Sequence, residues 1–139
     1  MRIGILIMFG LLLSCNSAKQ STTNGKSQAS LELSGNYKVV SLNGNDVASE
    51  GLELIFNAET KSINASTSCN KIFGGYSQTG SQLSFSALGA TKMYCEGRME
   101  MEREMTQGMA AVNAVRLQED GTVGLMNNDQ LLMRIQKID

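Results

Sequence analysis

From Gly35 onward the chain is cut into short runs of alternating apolar residues by Asn, Gly and Asp turn signals. A period of two puts successive side chains on opposite faces of a strand, so each run has one face to bury and needs partners on both edges. Gly35 to Leu42 opens the series, with Tyr37, Val39 and, at its end, Ser41 on one face. Asn43-Gly44-Asn45 then turns the chain, because Asn and Gly accept positive φ at little cost. Leu52, Leu54 and Phe56 alternate in the second run, and Lys61 to Ser66 supplies a weaker third beyond the Asn57–Thr60 turn. The stretch from Cys69 to Tyr76 follows, with Ile72 or Phe73 and then Tyr76 placed to pack. The pair Gly74-Gly75 inside it predicts a bulge or a close approach of backbone. Thr79-Gly80 turns into Gln82 to Phe85, and Thr91 to Cys95 is short and extended.

Between Glu96 and Val112 the period changes. Met101, Met105, Met109 and Val112 recur at intervals that line one face of an α-helix. Glu96, Glu100, Glu102 and Glu104 crowd its first half, where negative charge complements the positive end of the macrodipole. Three closing strands follow, Ala114 to Gln118, Thr122 to Met126 and Leu131 to Ile135, separated by Glu119-Asp120-Gly121 and Asn127-Asn128-Asp129. The pattern predicts a mainly β (α+β) domain: about eight antiparallel strands in a small barrel-like sheet, with one helix inserted before the last three. Closure removes the exposed edges that a flat sheet of this size would carry, and the helix is expected to cover one end.

The first thirty residues are of another kind. Met1-Arg2 is a short positive region, and Ile3 to Leu13 is an apolar run too short to span a bilayer but of signal-peptide length. It ends in Leu12-Leu13-Ser14-Cys15, which resembles a bacterial lipobox. The resemblance implies cleavage after residue 14, a diacylglycerol thioether on Cys15 and acylation of the new N-terminus. Asn16 to Leu31 is Ser, Thr, Asn, Gln, Gly and Lys with scarcely an apolar residue, a tether of roughly 20–25 Å root-mean-square reach. The chain therefore divides into a lipoprotein signal peptide at 1–14, a lipidated cysteine and tether at 15–31, and a domain at 32–139. Multiple acyl chains, at roughly 0.8 kcal/mol per buried methylene, would hold such a protein on its membrane.

With Cys15 consumed by lipid, Cys69 and Cys95 remain as an even pair in an exported, disulfide-permissive compartment. Parity and compartment favour a Cys69–Cys95 disulfide; the alternative is two small buried hydrophobes that never meet. The formal net charge is −1, and no basic patch dominates the sequence. That balance argues against a nucleic-acid partner.

The domain resembles the META family, found in HslJ-like heat-shock lipoproteins of bacterial envelopes. The resemblance rests on Leu33-Ser34-Gly35-Asn36-Tyr37, on Ser68-Cys69-Asn70-Lys71-Ile72-Phe73-Gly74-Gly75-Tyr76 and on Thr91-Lys92-Met93-Tyr94-Cys95. Tyr37 stands where the family usually has an indole, and Ser68 replaces a glycine, so a positive φ there would cost something that glycine avoids. The resemblance implies a compact antiparallel barrel with a helix and an association with envelope stress or drug tolerance, without a catalytic residue set. Ser68, Asn70, Gly74, Tyr76, Thr91 and Met93 carry over as signature positions, read physically as turn, close-approach and packing residues.

Chemistry finds little purchase. The chain has no histidine, so a cysteine nucleophile lacks the commonest base, and a bridged cysteine is inert. Gly74-Gly75 lacks the surrounding spacing and the Lys-Ser/Thr of a phosphate loop. Met99, Met101, Met105 and Met109 suggest thioether ligands for Cu(I), but three of them share one helical face, which is what a core stripe looks like. No enzyme activity, metal or cofactor is therefore expected. What remains is binding: contacts with an unknown envelope protein, or, alternatively, lipocalin-like carriage of a small apolar ligand inside the barrel. Asn16 is not the aspartate that signals inner-membrane retention, which points to the outer membrane, facing the periplasm.

Overall fold

The computed structural model describes residues 31–138; Cys15, the signal peptide and almost all of the tether lie outside them. The elements run β1 (Gly35–Leu42), β2 (Asn45–Asp46), β3 (Glu53–Asn57), β4 (Ser62–Ser66), β5 (Lys71–Thr79), β6 (Gln82–Ala90), α1 (Met99–Ala111), β7 (Ala114–Leu117), β8 (Val123–Asn127) and β9 (Gln130–Ile138). From β3 to β9 each strand pairs antiparallel with the next, and β1 pairs with both β3 and β9. The ring so closed is an eight-stranded antiparallel barrel, with the helix before its last three strands. The two-residue β2 only folds back on the end of β1.

The alternating pattern fills the barrel. Leu54, Ile63, Ile72, Leu125 and Ile135 are each 0% exposed. Each such side chain contributes about 1.5–3 kcal/mol by leaving water. In β1 the alternation breaks: the register with β9 shifts between Val39 and Ser41, so Leu42 rather than Ser41 turns inward. In β5 it is Ile72 that is buried and Phe73 that faces out. The β5–β6 register also shifts, between Phe73 and Gly75, and a Cβ on Gly74 would lie 2.7 Å from the Ser86 carbonyl oxygen. Only glycine permits that approach.

Two devices close the barrel ends. At one end lies α1, whose Met105, Met109 and following Val112 are buried, with Met101 partly so and Met99 exposed. At the other end the segment before β1 crosses the opening. Leu33 is fully buried, its N–H donates to Gln78 Oε1 (2.9 Å) and its carbonyl accepts from the Tyr76 hydroxyl (3.1 Å). Phe56 meets Tyr37 and Tyr76 edge-on there, with ring centroids 5.6 and 5.1 Å apart. Tyr37 thus occupies the aromatic core.

Thr91–Cys95 joins no strand ladder, while β6 runs on to Ala90, beyond the Phe85 limit expected from alternation. The Thr91 N–H still donates to the Lys71 carbonyl of β5 (3.0 Å), and beyond it the Met93 backbone groups are taken up by a side chain.

Candidate functional site

The turn between β4 and β5 is built by its own residues. The Thr67 N–H donates to the Asn70 carbonyl (3.0 Å), and the Asn70 N–H donates to Thr67 Oγ1 (2.9 Å). Closing so small a loop forces Ser68 to φ +66°, in the left-handed region, and the Ser68 hydroxyl donates to the Glu50 carbonyl. The consequence is that Asn70, 1% exposed, points its carboxamide into the domain instead of into water.

A buried carboxamide needs two acceptors and two donors. Asn70 finds all four. Its Nδ2 donates to the Met93 carbonyl (2.9 Å) and to Glu102 Oε2 (2.7 Å); its Oδ1 accepts from the Thr91 hydroxyl (2.8 Å) and from the Met93 N–H (2.8 Å). Thr91 Oγ1 in turn accepts the Lys71 N–H (3.0 Å). One side chain therefore stands in for a strand partner at Met93, beyond the last backbone bond of the segment to β5, and also holds the helix through Glu102. Beside it the Cys69 and Cys95 sulfurs lie at disulfide distance, with Cα atoms 6.1 Å apart across a separation of 26 residues. A cross-link of that span stabilises by about 3 kcal/mol on the chain-entropy account. Arg98, just before α1, adds an ion pair with Glu50.

Of the residues singled out in the sequence, Ser68, Cys69, Asn70, Thr91, Met93 and Cys95 come together here. Gly74 lies in the β5 bulge, and Tyr76 belongs to the aromatic end. Burial pushes the Tyr76 phenol above its ordinary range, against the pull of the Lys61 ammonium 5.6 Å from the ring. At the β7–β8 turn, hydrogen bonds from the Thr122 hydroxyl and N–H hold Asp120 below the usual carboxylate range, with Arg134 adding to the effect. Two members of the cluster were not legible beforehand, Thr67 and Glu102. Glu102 stands three and seven residues before Met105 and Met109, on their face of the helix, and that spacing is the signal that marks it as inward-facing.

Within the cluster the two sulfurs lie at disulfide distance from each other and the Asn70 carboxamide has all four of its hydrogen bonds. Among the described residues no group of three His, Cys, Asp or Glu side chains is placed to hold a metal ion. A concavity of about 560 Å³ opens on the outer wall, lined by Ser77, Gln82, Ser84, Asn113 and the ion pair Arg116–Asp129. Towards solvent the cluster presents Met93, 57% exposed, and Tyr94, 82% exposed, beside the exposed Ser68, Thr91 and Lys92.

The META-domain family model matches residues 29–138, which takes in the whole barrel and the cluster. The chain belongs to the META-domain family. A solved structure described as the NMR structure of the protein from Burkholderia xenovorans has the same fold, with a TM-score of 0.53 at 16% identity, over 75% of this chain and 78% of that one. Curated proteins include none significantly similar to the chain. Within this META domain, the segments that carry the family resemblance fall into two spatial groups, the aromatic end with Leu33, Tyr37 and Tyr76 and the Asn70 cluster at the helix end.

Proposed function

We propose that the chain is a lipid-anchored bacterial envelope protein whose META domain is non-catalytic and acts through protein contacts in envelope stress or drug tolerance. The observation that carries this reading is the Asn70 cluster. Its polar groups are satisfied by one another, its two thiols lie at disulfide distance, and the residues it holds outward are Met93 and Tyr94. A catalytic site keeps polar groups free for a substrate; a scaffold uses them on itself. Disulfides form and persist mainly in oxidising compartments, in agreement with an exported chain whose leader ends at residue 14, just before Cys15.

A carrier of a small apolar ligand needs interior space. The inward faces of this barrel are occupied by its own fully buried side chains, which favours the contact module. The reading is tested on protein purified from its native membrane. Intact mass is expected to show loss of residues 1–14, gain of acyl chains on Cys15 and no alkylatable thiol before reduction. A mass equal to the bare polypeptide, with two free thiols and recovery in the soluble fraction, would contradict it.

A further inference from the structure

The outer wall over β5, β6 and β7 is polar in a different way from the Asn70 cluster. Strand β6 meets β7 at a single residue pair, Gln82 with Ala114, where β7 begins directly after the helix. The β8–β9 turn stands beside this short seam and is tied to it. The Asn128 N–H donates to Asn113 Oδ1 (2.7 Å), Asn113 Nδ2 donates to Asn128 Oδ1 (3.1 Å), and the Arg116 guanidinium pairs with Asp129 (2.7 Å). Between that turn and the outward faces of β5 and β6 lies the concavity of about 560 Å³. Its volume falls within the range of about 300–1,000 Å³ usual for small-molecule sites.

The floor consists of register partners on β5 and β6, Ser77 beside Ser84 and Thr79 beside Gln82. All four are exposed, and among the described residues none of their side chains has a hydrogen-bond partner, whereas the asparagines and the ion pair of the wall bond to one another. The wall is therefore fixed and the floor is free. At about 3.4 Å per residue along a strand and about 4.8 Å between strands, the floor from β5 to β7 measures roughly 7 by 10 Å, the footprint of one or two pyranose rings.

The lining selects the chemistry of what can sit there. An apolar ligand would strip water from three hydroxyls and a carboxamide and return no hydrogen bond. An ion meets no unpaired opposite charge, because Arg116 and Asp129 neutralise each other. An extended peptide finds no ladder to join at the seam: the Leu83 N–H already donates to the Asn113 carbonyl (3.2 Å) and the Val115 N–H to the Ser81 carbonyl (2.8 Å). A neutral ring bearing several hydroxyls suits the floor, since each hydroxyl both donates and accepts, as do Ser77, Thr79 and Ser84, and the Gln82 carboxamide offers a donor and an acceptor side by side.

We infer that this concavity binds a neutral saccharide one or two pyranose rings long, held from below by Ser77, Thr79, Gln82 and Ser84. The inference goes beyond the contact-module reading and does not depend on it, because the concavity lies on the barrel wall and not at the Asn70 cluster.

The experiment uses the full chain purified from its native membrane into a zwitterionic detergent, since a detergent with a sugar headgroup would compete. Calorimetric titration with maltose, cellobiose and N,N′-diacetylchitobiose is expected to show saturable binding of at least one of them, with a millimolar dissociation constant that suits a shallow site without ring stacking. Gln82→Ala/Ser84→Ala is expected to weaken that binding at least fivefold, the factor that goes with about one lost hydrogen bond. Asn64→Ala, at an exposed polar position on β4, is expected to leave it unchanged. All three substituted side chains are exposed, so the thermal midpoint is expected to stay at the parent value, which separates lost contact from lost fold. Cosedimentation with insoluble cellulose or chitin then separates the two sources of such rings: pelleting with the polymer identifies a glycan chain, binding in solution alone identifies a free sugar, and both results sustain the inference. No saturable binding of any of the three disaccharides, a loss below fivefold in the double variant, an equal loss in Asn64→Ala, or tighter binding of inorganic phosphate than of any of the sugars would each overturn it.

Discussion

The two ends of the barrel are closed by opposite means. At the aromatic end an apolar plug, Leu33, is buried in one core with Phe56, Tyr37 and Tyr76, and its N–H, donating to Gln78, and its carbonyl, accepting from Tyr76, only guide it into place. At the helix end a saturated carboxamide and the Cys69–Cys95 pair hold a segment whose large side chains stay in water. Burial fixes a segment by hiding its side chains, whereas a polar clamp fixes its backbone and leaves the side chains free for another surface. The difference explains how one small domain keeps Met93 and Tyr94 exposed without a loose loop.

If the aromatic end is held by packing, Phe56→Ala should have the largest effect on stability, about 4 kcal/mol from lost transfer energy and the cavity left behind. Denaturant unfolding reads it directly; a loss below about 1 kcal/mol would mean that the plug is held by something other than packing. If the helix end is held by hydrogen bonding, Asn70→Ala should cost about 3 kcal/mol, because Glu102, Thr91 and both backbone groups of Met93 lose a partner at once. The same substitution should leave the aromatic end intact, so near-ultraviolet circular dichroism from Tyr37 and Tyr76 should keep its parent form below the transition.

Tyr76→Phe should cost only about 1 kcal/mol, by leaving the Leu33 carbonyl short of one donor. It also changes the response to alkali. Burial raises the Tyr76 pKa in the folded state, so its contribution is fully present below the unfolded value of about 10 and is lost as pH rises through the folded value. The parent should therefore lose stability above about pH 10 with a component that Tyr76→Phe lacks. The smallest effect is expected at Ser68→Gly. Relief of the positive φ and loss of the hydroxyl bond to Glu50 oppose each other at about 1 kcal/mol each, so stability should stay within about 0.5 kcal/mol of the parent by the same denaturant measurement.

The barrel was legible because its strands obey a local rule. Leu52, Leu54 and Phe56 alternate, Met105 and Met109 keep the helical period, and both patterns survive in the structure because one face of each element is buried. Ser41 is expected on the Tyr37 face and Leu42 takes that place because a bulge resets the alternation, and a bulge in β1 leaves no glycine to announce it. Apart from Thr67 and Glu102, the cluster was legible in its members through family resemblance and cysteine parity, yet not in its logic. Asn70 meets Thr91, Met93 and Glu102 only after the chain has closed on itself, and no local period links residues 21 to 32 positions apart. Thr91–Cys95 shows the limit most clearly: past the one backbone bond from Thr91 to Lys71, the partner of its backbone at Met93 is a side chain and not a strand.

The central claim is that the 91–95 segment is fixed through its backbone by Asn70 while its side chains remain in solvent. Native-state hydrogen exchange of the Met93 amide tests this most directly. The account predicts protection close to that of Leu33 at the opposite end, with opening free energies near the global value and a collapse of protection in Asn70→Ala. A Met93 amide that exchanges as fast as an unstructured loop in the parent protein would contradict it.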